Sequence, residues 1–192
     1  MSRFPLLLWL TCCIASLSAC SKPPIHPGVA APDEPLQEES DGRQWVFLDY
    51  KIQSVAHYEI KARVLGVKSY WHDLVPLDFA LGWGRMSDPA VYSQIKFRQF
   101  ARWYVYSWSN PPPIPPEEMQ FSSANTHLIP SNPDILEQLE NIEVGQVIEL
   151  KGQLVNLTPL KKGYYWPTSQ TRTDNGNGAC ELMWVESVRV VP

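Results

Sequence analysis

The feature that most restricts the fold of this chain is a strict alternation of polar and apolar side chains over residues 57–64. The apolar positions are Tyr58, Ile60, Ala62 and Val64, and the polar positions are His57, Glu59, Lys61 and Arg63. A period of two places successive side chains on opposite faces, so the pattern predicts a long strand with one buried face. Gly66 follows inside this strand, and Gly152 lies inside "QVIELKGQLVNL". Glycines within strands allow the tight bends of small barrels, so both indicate a curved sheet.

The other local patterns predict a single small domain. Ser87 or Asp88 before Pro89, and Asn132 before Pro133, are typical N-caps of short helices. Further strand patterns, including a final hairpin turning at "DNGNG", bring the number of strands to five or six. We therefore expect a mainly β fold with two short helices, built as a small curved antiparallel barrel or sandwich. The phrase "VGQVIELKGQLV" resembles a strand opening often seen in OB-type barrels, which implies an OB-like variant of this fold.

The first twenty residues, "MSRFPLLLWLTCCIASLSAC", have one basic residue followed by a short apolar run. Such a run is too short to span a bilayer and has the length of a signal-peptide core. Its end, Leu17-Ser18-Ala19-Cys20, resembles the lipobox of bacterial lipoprotein precursors. The resemblance implies a signal peptide over residues 1–19 and lipidation of Cys20, with palmitate among its acyl chains. Ser21 resembles the outer-membrane sorting choice, which implies a periplasm-facing protein anchored in the outer membrane of the cell envelope.

The segment after Cys20 differs in composition from the rest of the chain. Residues 21–43 contain five prolines, almost no large apolar residues and an excess of acidic side chains. Such a composition predicts an extended tether over residues 20–43, followed by one globular domain over residues 44–192. That domain carries 13 basic and 15 acidic residues, so we expect no nucleic acid as a partner.

Cysteine usage restricts the chemistry of the mature chain. Cys12 and Cys13 leave with the signal peptide and Cys20 is lipidated, so Cys180 is the one remaining thiol. It shares a predicted strand face with Leu182 and Trp184, which favours burial as a small apolar side chain. The alternative is a nucleophile at Cys180 with His127 as its base.

The stretch "IKFRQFARWYVYSW" is the most informative candidate surface. As one continuous strand, residues 95–108 present three cations and four aromatic rings on a single face. This predicted face consists of Lys96, Arg98, Phe100, Arg102, Tyr104, Tyr106 and Trp108. Its composition suits stacking on sugar rings and pairing with acidic groups, whereas the alternative is packing of the rings beneath the proline loop at 111–116.

The pattern of possible metal ligands predicts neither a metal nor another cofactor. His57, His72 and His127 occur singly, without the spacings of a zinc site. In "DNGNG", glycines stand where an EF-hand loop needs oxygen ligands, so the stretch is more typical of a turn.

Three phrases, "FALGWGRMSDP", "SANTHLIP" and "TRTDNGNGACELMWVE", together resemble a set of small exported bacterial proteins without an assigned activity. The resemblance covers most of residues 75–186 and implies a shared domain, with no catalytic residues to carry over. Within these phrases, Trp83 between two glycines and Arg172 before the turn are additional candidate contacts.

These patterns together predict a lipid-anchored envelope protein whose β-rich domain is a binding or assembly module. We expect its partner to be an envelope protein or glycan, in addition to the membrane that holds Cys20. The alternative is a hydrolase of an envelope or extracytoplasmic polymer, using His127 with Asp78, Asp174 or Cys180.

Overall fold

The structure, a computed structural model, describes residues 27–172, 176 and 178–192. The predicted signal peptide, Cys20 and Asp174 lie outside the described residues. The strands are β1 Leu36–Glu39, β2 Gln44–Phe47, β3 Tyr50–Ser69, β4 Leu77–Gly82, β5 Ile95–Phe100, β6 Trp103–Trp108, β7 Ser123–Pro130, β8 Val147–Pro159 and β9 Glu181–Val191. The helices are α1 Pro89–Tyr92, α2 Pro116–Phe121 and α3 Pro133–Glu140, with a 3-10 helix at Gly84–Ser87.

Five strands form the body of the domain. Their pairings run from β3 to β4, β7, β9 and β8, and β8 pairs again with β3. All of these contacts are antiparallel except that between β7 and β9. The prediction of a mainly β, curved and mostly antiparallel barrel-like or sandwich-like fold is confirmed.

The two strand glycines mark irregularities in this sheet. The register between β3 and β4 shifts between Val64 and Gly66, as expected for a bulge that bends the long strand. At Gly152 a Cβ atom would lie 1.9 Å from the carbonyl oxygen of Trp184. No larger residue fits there without moving one strand away from the other.

The apolar face of the alternating strand lies in the main core. Tyr58, Ile60, Ala62 and Val64 are all buried there. They pack against inward side chains of β4 and β9, such as Phe79 and Met183. Two smaller clusters cover the outside of the sheet, one beneath β5 and β6 and one around Trp184.

The prediction of one continuous strand over residues 95–108 is wrong. The chain reverses at Ala101 and Arg102, and β5 pairs with β6 as a two-stranded hairpin. Both turn residues have positive φ values, 48° and 71°, as a type I′ turn requires. Asn-Gly is the usual sequence for that turn, so Ala-Arg carries no local signal of it.

Both predicted helix starts are confirmed. The Asp88 carboxylate accepts a hydrogen bond from the backbone N–H of Ala90 at 2.8 Å. The Asn132 side chain accepts one from Ile135 at 3.0 Å, at the start of α3. A third helix, α2, begins within the proline-rich segment that the sequence indicated to be irregular.

The boundary predicted at Arg43 is too late in the chain. Ala31 is fully buried, and its carbonyl accepts a hydrogen bond from the N–H of Gly84. Strand β1 then pairs with the middle of β3, from Ala56 to Glu59. The described part of the predicted tether therefore packs on the domain, through the buried Ala31 and the backbone pairing of β1.

The predicted final hairpin is also wrong. Residues 160–172 contain no strand and make one isolated bridge, between Leu157 and Trp166. Strand β9 pairs with β7 and β8 instead. The pairing partners of β9 come from distant parts of the chain, which an Asn-Gly signal cannot reveal.

Candidate functional site

A cluster of polar side chains lies on the outer face of β4, β7 and β9, between the two outer apolar clusters. We call it the polar cluster; its members are Asp78, Gln99, Arg102, Asn125, His127 and Cys180. Asp78 on β4 is paired in register with His127 on β7, which places both side chains on the same face of the sheet. The hairpin β5–β6 brings Gln99 and Arg102 over this face.

Asp78 is the charged centre of the polar cluster. Its carboxylate is fully buried and accepts a hydrogen bond from Arg102 Nη1 at 2.7 Å. Nδ1 of His127 lies 2.9 Å from the same oxygen, close enough for an ion pair although the angle is not that of a hydrogen bond. A buried carboxylate needs such compensation. Because Arg102 belongs to the hairpin and Asp78 to the sheet, the contact between Arg102 and Asp78 links the two.

Arg102 is held on several sides. Its Nη2 donates to the carbonyl oxygen of Val75 at 2.8 Å, and its backbone N–H donates to the Tyr70 hydroxyl at 3.1 Å. Its guanidinium lies 3.8 Å from the centre of the Tyr70 ring and 5.7 Å from that of Trp166. These contacts stabilise the positive φ of Arg102, and they make it an internal cation rather than an open contact residue.

Amide side chains continue the cluster toward Cys180. Gln99 Nε2 donates to Asn125 Oδ1 at 2.8 Å, and Asn125 Nδ2 lies 3.8 Å from Cys180 Sγ. Cys180 is half-buried just before β9. Its thiol therefore combines partial protection with access to the neighbouring clefts.

Two clefts meet at Cys180. One of about 290 Å³ reaches from Tyr104 and Tyr106 to Arg172, and one of about 390 Å³ reaches from His127 to Tyr164 and Trp166. Both are lined by Trp103, Gly176 and Cys180. We call the pair of clefts the groove. It offers aromatic rings in both clefts, and four members of the polar cluster also line it: Arg102, Asn125, His127 and Cys180.

Arg172 forms a second charged contact near the groove. It pairs with Glu181, which is 2% exposed, and its Nη2 donates to the Tyr58 hydroxyl at 2.9 Å. Burial raises the pKa of Tyr58, and the negative charge of Glu181 raises it further. Burial alone would lower the pKa of Arg172, but Tyr58 and Glu181 raise it above its ordinary value. Arg172, predicted as an available cation before the turn, is thus engaged with two buried side chains of the domain.

The residues of the predicted binding face are divided by the hairpin. The outward positions are Lys96, Arg98 and Phe100 of β5 together with Trp103, Val105 and Ser107 of β6. Tyr104, Tyr106 and Trp108 point inward and pack on the cluster beneath the hairpin. In a single strand, the even-numbered residues 96–108 would all share one face. Because the chain reverses at residues 101 and 102, the even-numbered residues of β6 lie on the face opposite to those of β5.

Trp83 is not part of any surface. It is 1% exposed, within the main core, and 5.4 Å from the Arg172 guanidinium. The prediction that it contacts a partner is wrong, since its flanking glycines admit a turn that buries the ring.

Sequence reasoning missed several residues of the site. These are Tyr70, Gln99, Asn125, Tyr164 and Trp166. The aromatic spacing in "GYYWP" was a usable signal for the last two, because exposed rings beside a proline commonly line a binding surface.

Metal ligands are not grouped in the described part of the chain. No set of three or more His, Cys, Asp and Glu side chains there could hold a metal ion. Among the same residues, no helix has the length and apolar character needed to cross a bilayer.

The loop before β4 contains a pH-sensitive contact. Nδ1 of His72 accepts hydrogen bonds from the backbone N–H groups of Leu74 and Val75. Burial lowers the pKa of His72, and the positive charge of Arg102 lowers it further. A histidine that must accept these bonds is neutral in the folded protein.

We expect this contact to weaken as the pH falls. Because the folded-state pKa of His72 is below the unfolded value of about 6.5, its contribution to stability is complete above that pH and decreases below it. In His72→Asn the amide oxygen can accept the same bonds without titrating. Urea unfolding at pH 8 and pH 5 is expected to show a larger loss of stability for the wild type than for His72→Asn. Equal losses would contradict the assignment.

No family model matches the chain, and neither a curated protein nor a solved structure matches it. The resemblance to small exported bacterial proteins therefore stays a prediction.

Proposed function

We propose that this protein is a lipid-anchored binding module of the bacterial cell envelope, and that its groove binds an extended glycan chain. The observation that carries the proposal is the composition of the groove. Trp103, Tyr164 and Trp166 supply aromatic faces, which suit the apolar faces of sugar rings. Hydroxyl and amide groups lie between and beside the rings; those of the first cleft belong to Gln120, Ser123, Asn125 and Thr171.

Electrostatics also favour a neutral ligand. Arg102 and Arg172, the two cations of the groove, are already paired with Asp78 and Glu181. A strongly anionic polymer would need cations that are not committed to buried carboxylates. A glycan instead needs hydrogen-bond donors and acceptors together with aromatic stacking, and OB-type barrels provide a precedent for binding oligosaccharides.

The anchor is tested separately from the groove. Cells that produce the full chain are supplied with radiolabelled palmitate, and the purified protein is examined for label. We expect the wild type to carry label and Cys20→Ala to carry none, because the acyl groups depend on the Cys20 position. Label on the variant would contradict lipidation at Cys20.

Binding is tested with isolated peptidoglycan sacculi, by cosedimentation of the detergent-solubilised full-length protein. We expect Trp103→Ala and Tyr164→Ala each to weaken binding by roughly fivefold, equivalent to about 1 kcal/mol for one ring contact. Trp71→Ala is the matched control, since Trp71 is more exposed than either ring but lines neither cleft. Equal weakening by all three variants, or no sedimentation of the wild type, would contradict glycan binding in the groove.

A hydrolase of an envelope polymer is the second candidate. It is favoured by one arrangement: His127 is held beside Asp78 and lines the same cleft as Cys180. A thiol and an imidazole would act on an amide or ester bond of the polymer, with the thiol as nucleophile. Release of soluble fragments from the sacculi by the wild type but not by Cys180→Ser would favour this candidate over binding alone.

A further inference from the structure

The anchor and the folded domain are separated by very little chain. Gly28 packs so closely on Asp88 that a Cβ atom would lie 2.3 Å from its carboxylate oxygen. The N–H groups of Ala30 and Ala31 then donate to the Ser87 hydroxyl. Only seven residues lie between Cys20 and Gly28. At no more than about 3.6 Å per residue they reach less than roughly 30 Å, so this side of the domain stays close to the membrane.

The hairpin β5–β6 begins on that side. Asp88 caps α1, and α1 leads within three residues into β5. The inner face of the hairpin packs on the domain and lines part of the groove. On its outer face, Trp103 beside the turn lines both clefts, whereas Lys96, Arg98, Phe100 and Val105 line neither. These four outward positions are therefore available to a ligand other than the one in the groove.

The outer face combines cations with apolar side chains. We define the hairpin face as Lys96, Arg98, Phe100 and Val105. Lys96 and Arg98 are exposed, and neither makes an ion pair with any residue that the structure describes. Phe100 is 54% exposed and Val105 is 43% exposed.

The cross-strand neighbours leave the two charges uncompensated. Lys96 is paired with Ser107 and Arg98 with Val105, so no acid lies opposite either cation. A basic surface with embedded apolar side chains matches a membrane interface, where cations meet anionic headgroups and apolar groups enter the acyl boundary. A neutral glycan would use neither of these charges.

We propose that the hairpin face lies on the anionic lipid surface of the membrane that holds the anchor. This inference rests on the lipidation of Cys20 in the proposed function. The short connection keeps the hairpin near the lipid, and the charges and apolar side chains select the face that touches it. The hairpin thus sets the orientation of the domain relative to the membrane.

Fluorescence quenching tests this orientation. The full-length lipidated protein, in a Cys180→Ser background, carries an environment-sensitive fluorophore at Phe100→Cys or, as the control, at Trp71→Cys. It is reconstituted into phosphatidylcholine vesicles with phosphatidylglycerol, and brominated lipids serve as quenchers. We expect quenching at position 100 and not at position 71, because Trp71 lies in the loop between β3 and β4, outside the hairpin.

A charge variant distinguishes electrostatic docking from simple proximity. Lys96→Gln with Arg98→Gln is expected to lower the ratio of docked to undocked protein about 30-fold, from two cation contacts with an anionic surface. Vesicles of phosphatidylcholine alone should give the same loss. Equal quenching at positions 100 and 71, an unchanged signal in the charge variant, or protection of position 100 by sacculi rather than by lipid would overturn the proposal.

Flotation of the same vesicles separates this inference from the anchor. Protein that fails to float with the vesicles contradicts lipidation and hence the proposed function. The quenching comparison is then made with the chain held by an N-terminal histidine tag on nickel-chelating lipids. Loss of quenching at position 100 in that arrangement contradicts the hairpin face, whatever the state of Cys20.

Discussion

Replacing Arg172 with methionine is expected to lower the free energy of unfolding by about 3–5 kcal/mol, the cost of removing the cation from a buried ion pair. Glu181 is 2% exposed, and the Arg172 guanidinium is its counter-charge. The variant also loses the hydrogen bond from Arg172 to the Tyr58 hydroxyl inside the barrel. Methionine keeps much of the side-chain volume, so the measured loss reports mainly on charge.

Urea unfolding of matched variants separates this pair from an ordinary surface pair. Arg85 pairs with Glu118 at 3.4 Å, where both side chains are about one-third exposed. Arg85→Met is expected to cost less than about 1 kcal/mol, because water already screens that pair. Adding Glu181→Gln to Arg172→Met should recover part of the lost stability. A cost at Arg172 no larger than at Arg85 would contradict the assigned role of Arg172 as the counter-charge of Glu181.

Replacing Arg102 with methionine is expected to lower the free energy of unfolding by about 3 kcal/mol. Asp78 is fully buried, and Arg102 both donates to it and holds the loop carbonyl of Val75. The Arg102 side chain is 21% exposed and that of Arg172 is 23% exposed, so we expect both costs to fall in the range for a buried pair. Loss of these contacts also removes the support for a turn residue with positive φ.

Arg98→Met is the matched control for Arg102→Met, because both residues lie in the same hairpin and Arg98 is on its exposed outer face. We expect a change within about 0.5 kcal/mol for Arg98, as for other surface positions without special contacts. Asp78→Asn in the Arg102→Met background should restore part of the stability. Equal unfolding midpoints for the Arg98 and Arg102 variants would exclude the assigned role of Arg102.

Arg102 and Arg172 also show what sequence patterns cannot predict. The sequence predicts Arg102 as a contact residue from its place among aromatic residues of a strand, and Arg172 from its place just before a turn. The structure pairs Arg102 with the buried carboxylate of Asp78, and Arg172 with the buried carboxylate of Glu181. A sequence pattern cannot tell an internal cation from an external one.

Aromatic residues of the hairpin illustrate the same limit. The period-two pattern correctly predicted strand structure on both sides of residue 101, but it could not detect a reversal made by Ala101 and Arg102. That turn has no glycine or asparagine, and its geometry depends on contacts to Tyr70, Val75 and Asp78. The groove was missed for this reason, since Trp103 reaches it only when the chain turns back.

Local physical chemistry determined a large part of this fold from the sequence alone. The alternation at 57–64, the proline-preceded helix starts and the strand glycines each depend on neighbours within a few residues, so their signals are present in short stretches. The pairing of Arg102 with Asp78 spans 24 residues and that of Arg172 with Tyr58 spans 114. Only the tertiary structure decided those contacts, and with them the groove. Whether a charged side chain is buried in the domain or exposed on its surface depends on the position of its partner, which lies far away in the sequence.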